Sequence, residues 1–124
     1  MAATILVCDD HETLRDLARA ALEGNDYTIV EARDGDESLE LARKLRPDLV
    51  VLDLVMPGRS GHEVLFELRQ DPLLSETPVI VCTATRKTMN ERLATELGAD
   101  RYLEKPFSPG RLAEIVTELL GRRT

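Results

Sequence analysis

The sequence has little cysteine, little histidine and few aromatics. Its two cysteines, Cys8 and Cys82, each close an apolar run of strand length, the pattern of a small buried hydrophobe. No Cys-x-x-Cys pair and no Cys/His spacing of a zinc site occurs. The start, Met1-Ala2-Ala3-Thr4-Ile5, lacks the basic segment and apolar stretch of a secretory signal. Nowhere is there the run of ~18 apolar residues that a membrane helix needs. A cytoplasmic protein without a disulfide is expected. Basic charge is also short: 16 Lys and Arg stand against 23 Asp and Glu, a net charge of −7. That argues against non-specific nucleic-acid binding, which needs a basic surface. The two histidines, His11 and His62, lie beside acidic residues in polar stretches and read as solvated surface side chains rather than phosphoryl acceptors. There is no internal repeat, low-complexity tract or linker, so residues 1–124 are expected to form a single domain.

What is present is an alternation of two periodicities. Apolar runs of strand length occur at Ile5–Cys8, Tyr27–Val30, Leu49–Leu52, Val79–Cys82 and, more weakly, Arg101–Leu103. Between them, helical spacing places Leu14, Leu17, Ala18, Ala21 and Leu22 on one face. The same spacing groups Leu39, Ala42 and Leu45; Val64, Leu65 and Leu68; Leu93, Ala94 and Leu97; and Leu112, Ile115, Val116 and Leu119. Gly24-Asn25 and Gly98 follow helical runs, where a left-handed residue is often needed. Pro47 stops the second helix after Leu45-Arg46. Asp34 and Glu37 form a capping-box pattern, and Pro78 can begin a strand. Residues 71–77 read as an exposed loop before the fourth strand.

The result is a (βα)5 pattern. Central strands that are apolar throughout imply a parallel sheet buried on both faces, and right-handed crossovers make it a doubly wound five-stranded α/β fold. Function in such folds sits at the carboxyl ends of the strands. There the chain places Asp9-Asp10 after the first strand, Asp53 after the third, Thr83 after the fourth and Glu104-Lys105-Pro106 after the fifth. Three crowded carboxylates repel one another, and a divalent cation relieves the repulsion. Mg²⁺ suits an open oxygen site that leaves room for water. It can also neutralise charge in phosphoryl transfer. Lys105 is a movable point charge for a phosphate oxygen, Thr83 a hydroxyl donor, and Asp53 a carboxylate nucleophile that forms an acyl phosphate. Singly, each residue has a plainer reading: Asp9-Asp10 as a helix cap, Asp53 as a turn residue, Thr83 as a strand-end hydroxyl, Lys105 as a surface lysine. Jointly they populate one edge.

These residues carry a resemblance. The runs Ile5–Asp10, Asp48–Asp53 with Met56-Pro57-Gly58 and Gly61, Pro78–Ala84, Gly98-Ala99-Asp100 and Tyr102–Phe107 make the chain resemble, over nearly its full length, the receiver domain of two-component response regulators. The resemblance implies the chemotaxis-regulator-like, flavodoxin-like strand order 2-1-3-4-5. It also implies a switch that takes a phosphoryl group from a histidine kinase or phosphotransfer protein onto Asp53. Asp10, Asp53 and the backbone carbonyl of Val55 would ligate Mg²⁺, with Asp9 acting through water. Lys105 would contact the phosphoryl group. Thr83 would move toward it and Tyr102 would turn inward, altering the face of the fourth helix, fifth strand and fifth helix that meets a target or output domain. Pro106 would follow a cis peptide bond. Met56 and Phe107 are read as packing residues. Two positions that vary in the family and bear on acyl-phosphate lifetime are Val55 and Thr85. Neither is a general base, so a fairly long-lived phosphorylated state is expected. Winged-helix relatives carry an acid before the switch aromatic and a base in the fifth helix for dimer pairing. Here Arg101 and Ile115 stand in those places, against that mode.

Four readings stay open. The chain, ending at Gly121-Arg122-Arg123-Thr124, is a stand-alone receiver, monomeric or dimerising on phosphorylation, or part of a longer regulator. It acts on proteins, not on nucleic acid or membrane directly. A phosphatase of the haloacid dehalogenase type also uses a strand-end aspartate with Mg²⁺ but needs a second aspartate where Val55 stands. A flavin mononucleotide carrier would place its phosphate against Asp9-Asp10, which repels it. A degenerate receiver would serve only as an interaction module.

Overall fold

The computed structural model describes residues 2–84 and 87–121. In chain order the elements are β1 (Ala3–Cys8), α1 (Glu12–Leu22), β2 (Tyr27–Ala32), α2 (Gly35–Leu45), β3 (Leu49–Leu52), α3 (Gly61–Gln70), β4 (Val79–Thr83), α4 (Lys87–Glu96), β5 (Arg101–Glu104) and α5 (Pro109–Gly121). The strands form one parallel sheet in the order β2-β1-β3-β4-β5. This is the flavodoxin-like order expected. β3 and β4 are buried along their whole length, as central strands covered on both faces must be.

Strand alternation splits the core in two. Leu6, Cys8, Val50, Leu52, Val79 and Val81 pack with α2, α3 and α4 through Leu39, Ala42, Val64, Leu65, Leu68 and Ala94. Ile5, Val7, Leu49, Val51, Ile80 and Cys82 pack on the other face with α1 and α5 through Ala18, Leu22, Leu112, Ile115, Val116 and Leu119. Each fully buried Leu or Ile is worth about 1.5–3 kcal/mol in transfer free energy. Both cysteines are free and buried, and burial pushes each thiol up to about 12.

The local signals act as read. The Asp34 side chain accepts from the Glu37 N–H at 2.8 Å, while Glu37 reaches back to the N–H of Arg33. Arg46 ends α2 in the left-handed region (φ 47°), its N–H bonded to Ala42 O, and Pro47 follows. Gly24 and Gly98 have φ of 86° and 104°.

Three expectations fail. Leu45 and Leu93 are exposed, not core, because each lies at the margin of a stripe whose centre already touches the sheet. Residues 71–77 are not simply an exposed loop: Leu74 is fully buried against the α3 side of the sheet, held by turns from Asp71 to Leu74 and Leu74 to Thr77. The turns themselves are clamped by Arg69. Its guanidinium donates to Leu74 O, Thr77 O, Gly98 O and the Asp100 carboxylate, and Asp100 in turn receives the Val79 N–H at 2.8 Å. The third failure is on α1, where Arg15 is buried while Leu14 and Leu17 are only half covered.

Two glycines are required by close approach. A Cβ on Gly35 would lie 2.0 Å from Arg59 O, and one on Gly61 would lie 2.1 Å from Asp53 O and 2.6 Å from Leu54 Cα. Gly61 also donates its N–H to Leu54 O at 2.9 Å, so the start of α3 is pressed onto the segment that follows β3. Gly61→Ala must move backbone on one side or the other and is expected to cost about 1–3 kcal/mol, as overpacking does. Gly121→Ala, with open space around it, is the control. Urea unfolding of both variants checks this, and equal midpoints would refute the close-packing account.

Candidate functional site

The strand register carries the acidic residues to one edge. Cys8 pairs with Leu52 and with Ala32, and Thr83 pairs with Glu104. The ladder continues one step past the strands: Asp9 N–H donates to Ala32 O at 3.0 Å, Asp53 N–H to Cys8 O at 2.9 Å, and Lys105 N–H to Thr83 O at 2.9 Å. Asp9, Asp53 and Lys105 are thus fixed by sheet hydrogen bonds.

Lys105 sits between the acids. Its Nζ is 2.6 Å from Asp9 Oδ2 and 3.4 Å from Asp53 Oδ2. Asp53 is buried and its Oδ1 accepts the Val55 N–H at 3.3 Å. Burial pushes the Asp53 carboxyl above its ordinary range. The Lys105 charge opposes this and the Asp9 charge adds to it. For Lys105, burial works against the ammonium. The hydrogen bond to Asp9 and the charges of Asp53 and Asp9 outweigh it and hold the pKa above the usual value. Asp10 is partly covered; its Oδ1 is buried and accepts no hydrogen bond. One open cleft of about 470 Å³ is lined by Asp10, His11, Asp53, Val55, Thr83, Ala84 and Lys105. Thr83 is fully buried at the end of β4.

All five strand-end residues therefore meet. Val55 is on the rim, its side chain 60% exposed. Tyr102 does not line the cleft. Opposite Val81 in the register, it packs half-buried against the α3–α4 face of the core. Met56 and Phe107 pack, as expected, and the Lys105-Pro106 bond is cis. Ile115 is in the core and Arg101 pairs with Glu118 on α5. Thr85 lies outside the described residues.

The histidine reading needs correction. His62 is half-buried, with Nε2 covered and without a hydrogen-bond partner, and burial pushes its pKa down. His11 is exposed but not detached: its Nδ1 is 3.2 Å from Asp9 Oδ1 and 3.2 Å from Asp10 Oδ1.

Arg15, missed in the sequence, supports the acidic loop from beneath. Its Nη1 donates to Asp9 O at 2.8 Å and its Nε to Glu31 Oε1 at 2.9 Å. Arg19 holds the other oxygen of Glu31. These partners hold the Glu31 carboxyl below the usual range, the Arg19 hydrogen bond foremost and burial opposing. A cation inside an otherwise apolar helix stripe was the available signal.

A doubly wound sheet with an acid pair, a buried strand-end aspartate, a hydroxyl and a lysine at its carboxyl edge is the arrangement the resemblance to receiver domains implied. The comparisons agree. The family model "Response regulator receiver domain" matches residues 5–117, and the chain belongs to that family. It is 40% identical over 122 residues to the alkaline phosphatase synthesis transcriptional regulatory protein PhoP of Bacillus subtilis, covering 98% of this chain and 50% of that protein. The chain thus spans about half the length of the curated relatives it matches. Among solved structures, the receiver domain of Francisella response regulator 1452 superposes with a TM-score of 0.90 at 33% identity, covering 98% of this chain and 99% of that one. The BeF3-activated DrrB receiver domain superposes with a TM-score of 0.89 at 28% identity, covering 98% and 100%. The chain is a receiver domain of two-component response regulators. Among the described residues, no helix is long and apolar enough to cross a membrane.

The raised pKa of Asp53 has a consequence for stability. A carboxyl raised above its unfolded value favours the fold in its protonated form. That stability is present in acid and is lost as pH rises through the folded pKa. Asp53→Asn is therefore expected to raise the urea midpoint near neutral pH, with the gain shrinking in mild acid. A variant less stable than the parent at neutral pH would show that the Lys105 ion pair outweighs burial.

Proposed function

We propose that the chain is a phosphorylation-operated switch with Asp53 as the acceptor. The observation that carries this is the Asp53 carboxylate itself, buried at the end of the central strand, 3.4 Å from the Lys105 ammonium, yet opening on a cleft of about 470 Å³. In the transfer, an Asp53 oxygen attacks phosphorus on the phosphohistidine of a histidine kinase or phosphotransfer protein. The P–O bond forms as the P–N bond breaks, and the electron pair leaves with the donor imidazole. Lys105 moves from the carboxylates to a phosphoryl oxygen, where its charge is needed. Thr83, at the end of β4, donates its hydroxyl to another oxygen.

The cluster fits a divalent ion. Three carboxylates against one ammonium leave two negative charges, and the buried Asp10 Oδ1 accepts no hydrogen bond, with His11 Nδ1 the nearest donor at 3.2 Å. Asp10, Asp53 and the Val55 carbonyl would hold Mg²⁺, with Asp9 acting through water. When bound, the ion would supply neutralisation of charge on the transferred group. All five site residues line or border one cleft, which favours an active receiver over a degenerate one.

Residues 1–124 would act as one cytoplasmic receiver unit, monomeric or dimerising on phosphorylation, without direct nucleic-acid binding. The α4–β5–α5 face, with Tyr102 turning inward, would carry the signal to a target protein or an output domain. PhoP is a transcriptional regulator, and an output of that kind is one form this would take. Val55 brings no base to activate water, so the acyl phosphate should be long-lived.

Acetyl phosphate with Mg²⁺ should add one phosphoryl group, and beryllofluoride should shift resonances around Asp53, Thr83 and Lys105. Asp53→Asn should abolish labelling; label that persists places the acceptor elsewhere. Loss of label within seconds from the isolated chain would refute the long lifetime. Failure of both phosphoryl reagents to bind would refute the switch.

A further inference from the structure

Among the described residues, the imidazole of His11 is the one titratable group lining the acidic cleft that phosphoryl transfer does not use. It caps α1 by position only: its side chain makes no capping hydrogen bond, and it is 65% exposed, so neither the helix nor the core requires a histidine there. The ring nonetheless turns toward the acids. Its Nδ1 lies 3.2 Å from an oxygen of Asp9 and 3.2 Å from an oxygen of Asp10. One ligand atom each from Asp9, Asp10, His11 and Asp53 can be chosen so that all lie within 4.8 Å of one another. In an octahedral shell with bonds of about 2.1 Å, adjacent ligand atoms stand about 3.0 Å apart and opposite ones about 4.2 Å. The imidazole nitrogen is thus spaced from the carboxylates as a neighbouring ligand would be. Lys105 occupies the other oxygen of Asp9 at 2.6 Å, while the His11-facing oxygen accepts the His11 backbone N–H at 2.9 Å and keeps a second lone pair for a water on the ion.

Ligand chemistry gives this nitrogen a meaning. Mg²⁺ takes oxygen donors and keeps water in preference to imidazole. Zn²⁺, Co²⁺ and Ni²⁺ bind imidazole well. We propose that His11 is a nitrogen ligand that opens this cleft to borderline first-row divalent ions, so that the same acidic site takes Mg²⁺ without His11 and a transition-metal ion with it. The proposal rests on the reading that Asp10 and Asp53 hold a divalent ion, and it adds the residue that sets the choice of ion.

Any carboxylate site binds Co²⁺ more tightly than Mg²⁺, so the test compares side chains, not ions alone. Calorimetric titration of the whole chain with Mg²⁺ alone and with Co²⁺ alone is run beside His11→Ala and, as the control for the only other histidine, His62→Ala. The expected result is roughly a tenfold loss of Co²⁺ affinity in His11→Ala, with Mg²⁺ affinity within about twofold and His62→Ala unchanged for both; losses of this size are usual for groups that tune a metal site. A hyperfine-shifted imidazole proton in the Co²⁺-loaded chain should vanish in His11→Ala and in Asp10→Asn. Equal Co²⁺ affinities for parent and His11→Ala, or equal losses for both ions, overturn the assignment to His11. Absence of Mg²⁺ binding by the parent chain strikes instead at the reading of the acidic cleft, and so separates the two failures.

Discussion

One ammonium holds two of three clustered carboxylates in place. Asp9, Asp10 and Asp53 are delivered to the same edge by β1 and β3, which are neighbours in the sheet, and like charges so close resist folding. Lys105, delivered by β5 from the far side of β4, reaches back to Asp9 and Asp53. The strand order makes this reach possible, and the two-faced core makes the strand order stable. Remaining negative charge is what an incoming cation can meet. The edge is thus stable enough to fold while keeping negative charge that Lys105 does not balance.

The support of this edge is unequal. The β1 end is braced by Arg15, which bonds the Asp9 carbonyl and Glu31 at once. The β3 end is braced by Gly61, whose missing side chain lets α3 press against the Asp53 carbonyl. Breaking a buried charged bond is costlier than losing a surface pair, so the Arg15 bridge matters more than the exposed ion pairs of α2 and α3. Val55 and Ala84, by contrast, are exposed on the cleft rim. Residues that hold the strand-end acids are fixed, and those on the cleft rim are open.

Most of the fold was legible because strand and helix periods differ and the punctuation agreed with both: Asp34 with Glu37, Arg46 before Pro47, Gly98 after α4. The site was legible because strand ends converge in this topology, whichever residues fill them. What escaped has physical causes. Leu45 and Leu93 share the helical spacing of core residues, but periodicity fixes an angle around the helix and not the distance to the sheet. Leu74 sits in a polar stretch, and turns braced by Arg69 carry it into the core. Arg15 broke the apolar stripe, and its partners, Glu31 and the Asp9 carbonyl, are distant in sequence or hidden in backbone. His62 is half-covered by packing around the first turn of α3, which neighbouring acids do not reveal.

The Arg69 clamp gives β5 two different ends. At its start, Asp100 is pinned by Arg69 and by the Val79 amide, and Gly98 is held by the same guanidinium. At its finish, Lys105 is tethered to carboxylates through a flexible four-carbon stem and one ladder bond to Thr83. A strand fixed at one end and loaded at the other behaves as a cantilever. Tyr102, in register with Val81, stands nearer the anchored end of the strand than the loaded one.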